Sequence, residues 1–430
     1  MSAVVVFIIF AICLVIAIPI SISLGIVAVL PGAFDASFTA SAGYVIRSMV
    51  GGIDSFPLLA VPMFVLAGIL MAHGKISEKL FDVFVYFLGN KRAGIPCAVI
   101  ITCLFYGAIS GSAPATVAAV GSMTIPLLIE LGYEKDFSTA IVAVAGGLGV
   151  IIPPSIPFIM YAMATGESVS DLFLAGIVPG MMISALLIFY AYYYCRRHGE
   201  DREKIQAKMG QLKAKGFFNI LKESIWALLS PVIVLGCIYT GVASPTEAAV
   251  ISVFYSLFVS LFIYRSIKVK QIWGIMVEAM KTYAPILFIL ATSTAFSRVL
   301  TLMQVPQDVS AWIMTHFSNE IVLLIVINVV LLIVGMVMDT TPAILILSPI
   351  LLPIVEHVGM NPIHFGVMMI VNLAVGFVTP PVGVNLFVAS SLTNVPMMQI
   401  AKKAMPMIGY FMLALLLITF IPAISLCLLS

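Results

Sequence analysis

Four short stretches put oxygen donors inside otherwise apolar sequence: Ser110-Gly-Ser-Ala-Pro-Ala-Thr116, Ile151-Ile-Pro-Pro-Ser155, Met338-Asp-Thr-Thr-Pro342 and Val378-Thr-Pro-Pro-Val-Gly383. Two consecutive prolines remove two backbone donors and stop a helix. Carbonyls freed in this way cannot face lipid, so they must line a polar cavity or bind something. Carbonyls, Ser/Thr hydroxyls and one carboxylate are hard ligands that suit a small hard cation. Helix N-termini at the same breaks favour an anion. The candidate cation ligands are Ser110, Gly111, Ser112, Thr116, Pro154, Ser155, Asp339, Thr340, Thr341, Thr379 and Pro380. The candidate anion contacts are Ser112, Ala113, Pro114, Ser155, Thr341, Pro381, Gly383 and Asn385. The competing reading is that these hydroxyls only cap helix ends.

Asp339 is expected to lie in the protein interior, and an intramembrane acid is a functional candidate by default. The alternative is that it caps the helix that follows. Asn372 and Asn385 read either as helix–helix contacts or as substrate ligands. Arg47 and Arg298 either snorkel to headgroups or meet an anion or an external partner. Cys13, Cys97, Cys103, Cys195, Cys237 and Cys427 form no CxxC pair and sit in apolar surroundings, as buried thiols do. The five histidines lack ligand spacing, which argues against a protein-bound metal centre. An enzyme is not expected: a di-aspartyl site lacks its second acid, no Ser–His pairing is visible, and no Walker A motif supports ATP driving. No cofactor is expected. A channel remains the alternative, since hairpins and broken helices occur there too.

The elements that position these residues must be membrane helices. The 430 residues are 62% hydrophobic and only 9% charged, against about 25% charged in soluble domains. Apolar runs near the roughly 20-residue spanning length recur at 4–30, 56–72, 171–195, 321–338 and 406–429. The N-terminus is not a convincing signal peptide, because it has no basic segment and its apolar run is too long. The basic residues are confined to loops, so the small net charge of +2 does not point to nucleic acid. Residues 75–91 and 267–279 are amphipathic and are expected to lie as braces along the interface.

A charged segment, 196–215, divides the chain into halves that resemble each other. Pro57 and Pro285, Pro114 and Pro342, Pro126 and Pro353, Pro153-Pro154 and Pro380-Pro381, and Pro179 and Pro406 are all separated by 227 or 228 positions. Internal repeats of this kind, when inverted, place substrate and ion sites near the midplane on interrupted helices. With five crossings per half and an outside N-terminus, 19 of the 21 basic residues fall inside, Lys215 among them. Only Arg47 and Arg298 fall outside, with acids such as Asp35 and Asp54. The expected fold is all-α and polytopic, with two inverted repeats, each holding a re-entrant hairpin and a broken helix. The expected division is 1–195 (scaffold 1–92, transport elements 93–195), a cytoplasmic linker 196–224, and 225–430 (scaffold 225–318, transport elements 319–430). The first hairpin is expected over 95–109 and 117–131, the second over 321–337 and 343–355. The first half must fit two crossings into about its first 30 residues, broken at Pro19.

Gly107-Ala-Ile-Ser-Gly-Ser-Ala-Pro-Ala-Thr116, Gly147-Leu-Gly-Val-Ile-Ile-Pro-Pro-Ser155, Leu174-Ala-Gly-Ile-Val-Pro-Gly180, Ser244-Pro-Thr-Glu-Ala-Ala249 and Val378-Thr-Pro-Pro-Val-Gly-Val-Asn-Leu386 resemble the large membrane subunit of tripartite ATP-independent periplasmic (TRAP) transporters. The resemblance implies an elevator mechanism, sodium as coupling ion, a separate small four-helix membrane subunit and a soluble periplasmic protein that delivers a small organic anion. It implies a multi-pass protein of the bacterial inner membrane, embedded in lipid, and here both termini are expected in the periplasm. Pro19-Ile-Ser-Ile-Ser-Leu-Gly25 and Ile421-Pro-Ala-Ile-Ser-Leu426 look most like the C4-dicarboxylate branch; sialic acid and other sugar acids stay open. One sodium is expected between the first hairpin tip and the Pro153-Pro154-Ser155 break. A second is expected between Asp339-Thr340-Thr341 and Thr379-Pro380-Pro381, with the anion between the two tips.

Overall fold

A computed structural model of the chain describes residues 3–34, 38–214, 216–316 and 319–429. Asp35, Lys215 and the C-terminal Ser430 lie outside the described residues. Among the described residues the secondary structure is helical throughout, as a bilayer demands of a chain that must satisfy its backbone internally. Nine of the helices are long and apolar enough to cross a membrane.

The first half runs α1 (Ala3–Val15), α2 (Ile20–Phe34), α3 (Ala42–Ile53), α4 (Ala60–His73) and α5 (Ile76–Leu88). It continues with α6 (Gly94–Ser110), α7 (Ala113–Glu130), α8 (Lys135–Ala145), α9 (Ile156–Thr165) and α10 (Val169–His198). α11 (Arg202–Ala214) follows, then α12 (Phe217–Tyr239), α13 (Pro245–Phe258), α14 (Val269–Leu302) and α15 (Val305–His316). The last elements are α16 (Glu320–Val337), α17 (Thr340–His357), α18 (Pro362–Gly376), α19 (Val384–Thr393), α20 (Met397–Phe420) and the short α21 (Ala423–Leu426).

Local sequence sets the helix ends. Ser244 and Glu247 form a reciprocal capping box at the start of α13. Asn319 and Asn361 accept backbone N–H groups at the starts of α16 and α18. Pro19 closes the gap between α1 and α2, so the first residues do form two helices, of 13 and 15 residues. The main core is built from α6 to α10 and α16 to α20, with Phe137, Phe158, Phe365 and Phe411 fully buried. Smaller apolar clusters join α1, α2 and α3 to α14, and α4 and α5 to α12 and α13.

Several boundaries differ from expectation. Residues 267–279 are no separate brace: α14 runs unbroken for 34 residues through Pro285. Ser41 caps α3 and the corresponding region of the first half breaks at Asp54-Ser55, where a short 3-10 turn precedes α4. The last long span is α20, which begins at Met397, well before Pro406, and ends at Phe420. The charged linker is mostly helical, and Glu200 within it is buried, its side chain 2% exposed.

Candidate ion and substrate site

The two hairpins turn within two residues. α6 ends at Ser110, Gly111 takes the left-handed conformation (φ +60°) that glycine tolerates without strain, and α7 starts at Ala113. The expected seven-residue break thus narrows to Gly111-Ser112, and Thr116 is helical. The second tip is Met338-Asp339, between α16 and α17. Both double-proline stretches interrupt their helices as expected. The chain passes from α8 through a 3-10 turn to a break at 151–155, and from α18 to a break at 377–383. Pro153-Pro154 and Pro380-Pro381 are cis.

The first tip sits directly on the first break. Ile156 N–H donates to Gly111 O at 3.3 Å. The Pro154 carbonyl lies 3.0 Å from where a Cβ on Gly111 would stand. Thr116 Oγ1 and Ser110 Oγ are 2.9 Å apart, and Thr116 Oγ1 donates to Ser112 O at 2.8 Å. Glycines permit the approach: a Cβ on Gly149 would fall 2.5 Å from Thr116 Oγ1 and 2.7 Å from Ser112 O. Ser110, Gly111, Ser112, Thr116 and Pro154 are therefore brought together, five oxygen-bearing residues at the meeting of two helix breaks. Ser155 is buried beside them, but its hydroxyl is committed to Val150 O at 2.6 Å. Ala113 is buried within the first turn of α7.

A cavity of about 630 Å³ opens against this tip, and Ser110, Ser112 and Pro114 line it. Tyr106 of α6 lines it too, and its far walls come from α4, α5 and α14, with Ser77, His73, Glu278 and Thr282. His73 Nε2 and Glu278 Oε2 meet at 2.9 Å, joining α4 to α14. Sequence reasoning missed these residues because they come from helices distant in the chain, and no spacing links them.

The second tip is arranged differently. Val382 N–H donates to Met336 O at 3.1 Å, and the backbones of Gly335 and Gly376 touch, leaving no room for a Cβ on Gly376. So the second break also meets its hairpin, but through the end of α16. Asp339 is not interior: it is exposed and caps α17, its Oδ1 accepting from Thr340 N at 2.7 Å and Thr340 Oγ1 at 3.3 Å. A carboxylate at a helix N-terminus is satisfied by such an N–H and hydroxyl and needs no burial. Thr341 is buried in α17. Thr379 Oγ1 donates to Val375 O at 2.7 Å, and Thr379 and Pro380 are half-buried while Pro381 is exposed. Among the described residues, no hydrogen bond joins Asp339, Thr340 or Thr341 to Thr379 or Pro380.

Gly383 is left-handed and starts α19. Asn385, fully buried, donates its amide to Ala143 O on α8 at 3.0 Å, so it ties the two halves together. Its Oδ1 is buried without a partner, as is that of Asn372, whose Nδ2 donates to Asn328 O and Oδ1. Asn372 thus serves helix packing between α18 and α16. A buried acceptor left unpaired costs about 1–3 kcal/mol, and both asparagines carry one. Arg47 and Arg298 are exposed on α3 and α14.

The described residues thus form a multi-span helical protein with paired hairpins and broken helices. The chain belongs to the family described as "Tripartite ATP-independent periplasmic transporter, DctM component", whose model matches residues 7–424. It is similar to the isethionate TRAP transporter permease protein DctMQ of Oleidesulfovibrio alaskensis, 43% identical over 96% of this chain; the chain spans 64% of that relative's length. It is also similar to the C4-dicarboxylate TRAP transporter large permease proteins DctM of Pseudomonas aeruginosa and Rhodobacter capsulatus. The former is 39% identical, over 87% of this chain and 86% of the relative; the latter is 33% identical, over 100% and 99%. Among solved structures, the YdaH transporter of Alcanivorax borkumensis shares the fold, with a TM-score of 0.62 at 15% identity, covering 93% of this chain and 96% of that one.

Proposed function

We propose that this TRAP large permease carries out sodium-coupled uptake of a small organic anion across the bacterial inner membrane, by an elevator movement of the hairpin-bearing elements. It works with a small membrane subunit and a periplasmic protein that delivers the substrate. The observation that carries the reading is the seat of the first hairpin tip on the first proline break. There, the hydroxyls of Ser110 and Thr116 and the carbonyls of Ser112 and Pro154 converge beside a cavity large enough for a small solute, which Ser112 also lines. Sodium would be held by these oxygens, and the anion by hydroxyls and helix N-termini. A second sodium belongs at the second break, where Thr379 and the carbonyls freed at Pro380 are the donors and Asp339 lies at the exposed edge. The relatives' names cover isethionate and C4-dicarboxylates, so the substrate class proposed here is a small carboxylate or sulfonate; sugar acids remain within it.

The test is reconstitution. Liposomes holding this chain with its small subunit, the loaded periplasmic protein and an inward sodium gradient should accumulate the anion. The chain alone should accumulate none above empty liposomes. Robust uptake by the isolated chain, or uptake indifferent to sodium, would overturn the proposal. Accumulation against a gradient also separates this reading from a channel, which cannot concentrate its solute.

A further inference from the structure

A second groove, of about 940 Å³, lies where α5, α12 and the end of α13 meet; it shares Glu78 with the first cavity, but no hairpin-tip residue lines it. Its lining is unlike that of the first cavity. Lys75, Lys79 and Lys222 contribute three ammonium groups, and Trp226 and Tyr264 contribute aromatic walls. The groove's acids are Glu78 and Glu223. Glu223 is paired with Lys79 at 2.5 Å. Lys75 and Lys222 are exposed and form no ion pair among the described residues. The walls are braced from behind: Tyr264 O–H donates to Glu223 O at 2.6 Å, and Ser266 Oγ donates to Gly74 O at 3.1 Å. The groove is thus held open by backbone contacts and does not depend on the lysines for its shape.

Beside it the surface is strongly apolar. Phe218 (82% exposed) and Ile225 flank Lys222 on the same face of α12, and Phe262 (66% exposed) lies next to the groove on the turn that follows α13. Two unpaired ammonium groups and aromatic rings at the end of a spanning bundle, bordered by exposed apolar side chains, match one kind of ligand. The head must be anionic, and the rest must be apolar and continuous with the bilayer. A free anion would not use the flanking phenylalanines, and a neutral zwitterionic lipid would not use the groove's excess of three lysines over two glutamates. Basic pockets between membrane helices take anionic headgroups for this reason.

We propose that this groove is a binding site for an anionic phospholipid, with its phosphate between Lys75 and Lys222, its glycerol against Trp226 and Tyr264, and its acyl chains along Phe218, Ile225 and Phe262. The same site joins α5, which leads into the first hairpin, to α12 and α13, so a bound lipid braces the helix from which the hairpin departs.

Trp226 provides the readout. The chain has three tryptophans, and Trp273→Phe with Trp312→Phe leaves Trp226 as the sole reporter. The full-length protein is placed in phosphatidylcholine vesicles holding a small fraction of either brominated phosphatidylglycerol or brominated phosphatidylcholine. Phosphatidylglycerol is expected to quench Trp226 at several-fold lower mole fraction. Lys75→Gln and Lys222→Gln should each weaken that preference about fivefold, the effect of roughly 1 kcal/mol per basic residue. Lys208→Gln and Lys213→Gln on α11 remove the same charge elsewhere and should leave the preference intact. Equal quenching by the two lipids, or a preference that survives loss of both groove lysines, would overturn the proposal. Quenching reversed by inorganic phosphate but not by chloride at equal ionic strength would assign the groove to a free anion and overturn it too. None of these readouts involves transport, so they stand or fall apart from the function proposed above.

Discussion

At the scale of single residues, the proposed site rests on hydroxyls gathered at the hairpin tips and the proline breaks, most of them already donating to a nearby oxygen. Ser112 is half-buried at the first tip and lines the cavity, and its backbone carbonyl already receives Thr116. Thr379 marks the second break, with its hydroxyl turned to Val375 O. Losing one oxygen ligand from a dry site costs about 1–3 kcal/mol, equivalent to a roughly 5- to 150-fold change in affinity. Ser112→Ala and Thr379→Ala are therefore expected to raise the sodium concentration for half-maximal uptake by such a factor, with membrane insertion unchanged. Thr301→Ala, in the exposed last turn of α14, should leave it as it was. If both site variants keep the parent sodium dependence, the pairing of tips with breaks as ion sites fails. Residue types alone made the hydroxyl-rich breaks legible. They did not separate a ligand from a cap: Ser155 bonds within its own break and Asp339 caps a helix, and only three-dimensional placement reveals either.

At the scale of elements, the buried carboxylate of Glu200 is the least expected feature. It sits in a segment whose charge density reads as solvated. Its Oε1 accepts Ala93 N–H at 3.0 Å and Tyr133 O–H at 2.6 Å, and its Oε2 meets Arg202 at 3.0 Å. Arg202 also donates to Asn90 O at 3.3 Å, and Met209 of α11 packs on Gly89. The linker therefore clasps both ends of the first hairpin and the joint where α5 gives way to α6. Glu200→Ala would strand Ala93 N–H and Tyr133 O–H, at about 1–3 kcal/mol, while Glu200→Gln keeps an acceptor for both. A thermal-unfolding series should show the alanine variant clearly destabilised and the glutamine variant much closer to the parent. Equal losses would show that charge pairing with Arg202, and not backbone capture, holds the joint. Apolar length and proline spacing located most of the long spans and the helix breaks, because these are local properties, but gave no expectation for α3, α11 or α15. The clasp escaped notice because its four partners are scattered from Asn90 to Arg202, and no local pattern couples them.

Over the whole molecule, charge asymmetry fixes the expected orientation. The linker is expected on the cytoplasmic side, and the turn between α12 and α13 on the other. Gly199 and Gly241 are both exposed turn glycines. With the more accessible native thiols Cys237 and Cys427 replaced, Gly241→Cys is expected to react with an impermeant thiol reagent added outside intact spheroplasts. Gly199→Cys should react only after the membrane is opened. Labelling of Gly199→Cys from outside would sink the inverted arrangement of the halves. The same scale gives meaning to α14. At 1.5 Å per residue its 34 residues extend about 50 Å, against a hydrocarbon core of about 30 Å. The surplus must be taken up by tilt or by running into the headgroup zone. Because α14 touches α2, α3 and α4 as well as α15 and α17, any change in its tilt is felt by frame and hairpin together. The helix is therefore placed to pass a change in the thickness of the surrounding bilayer to frame and hairpin alike.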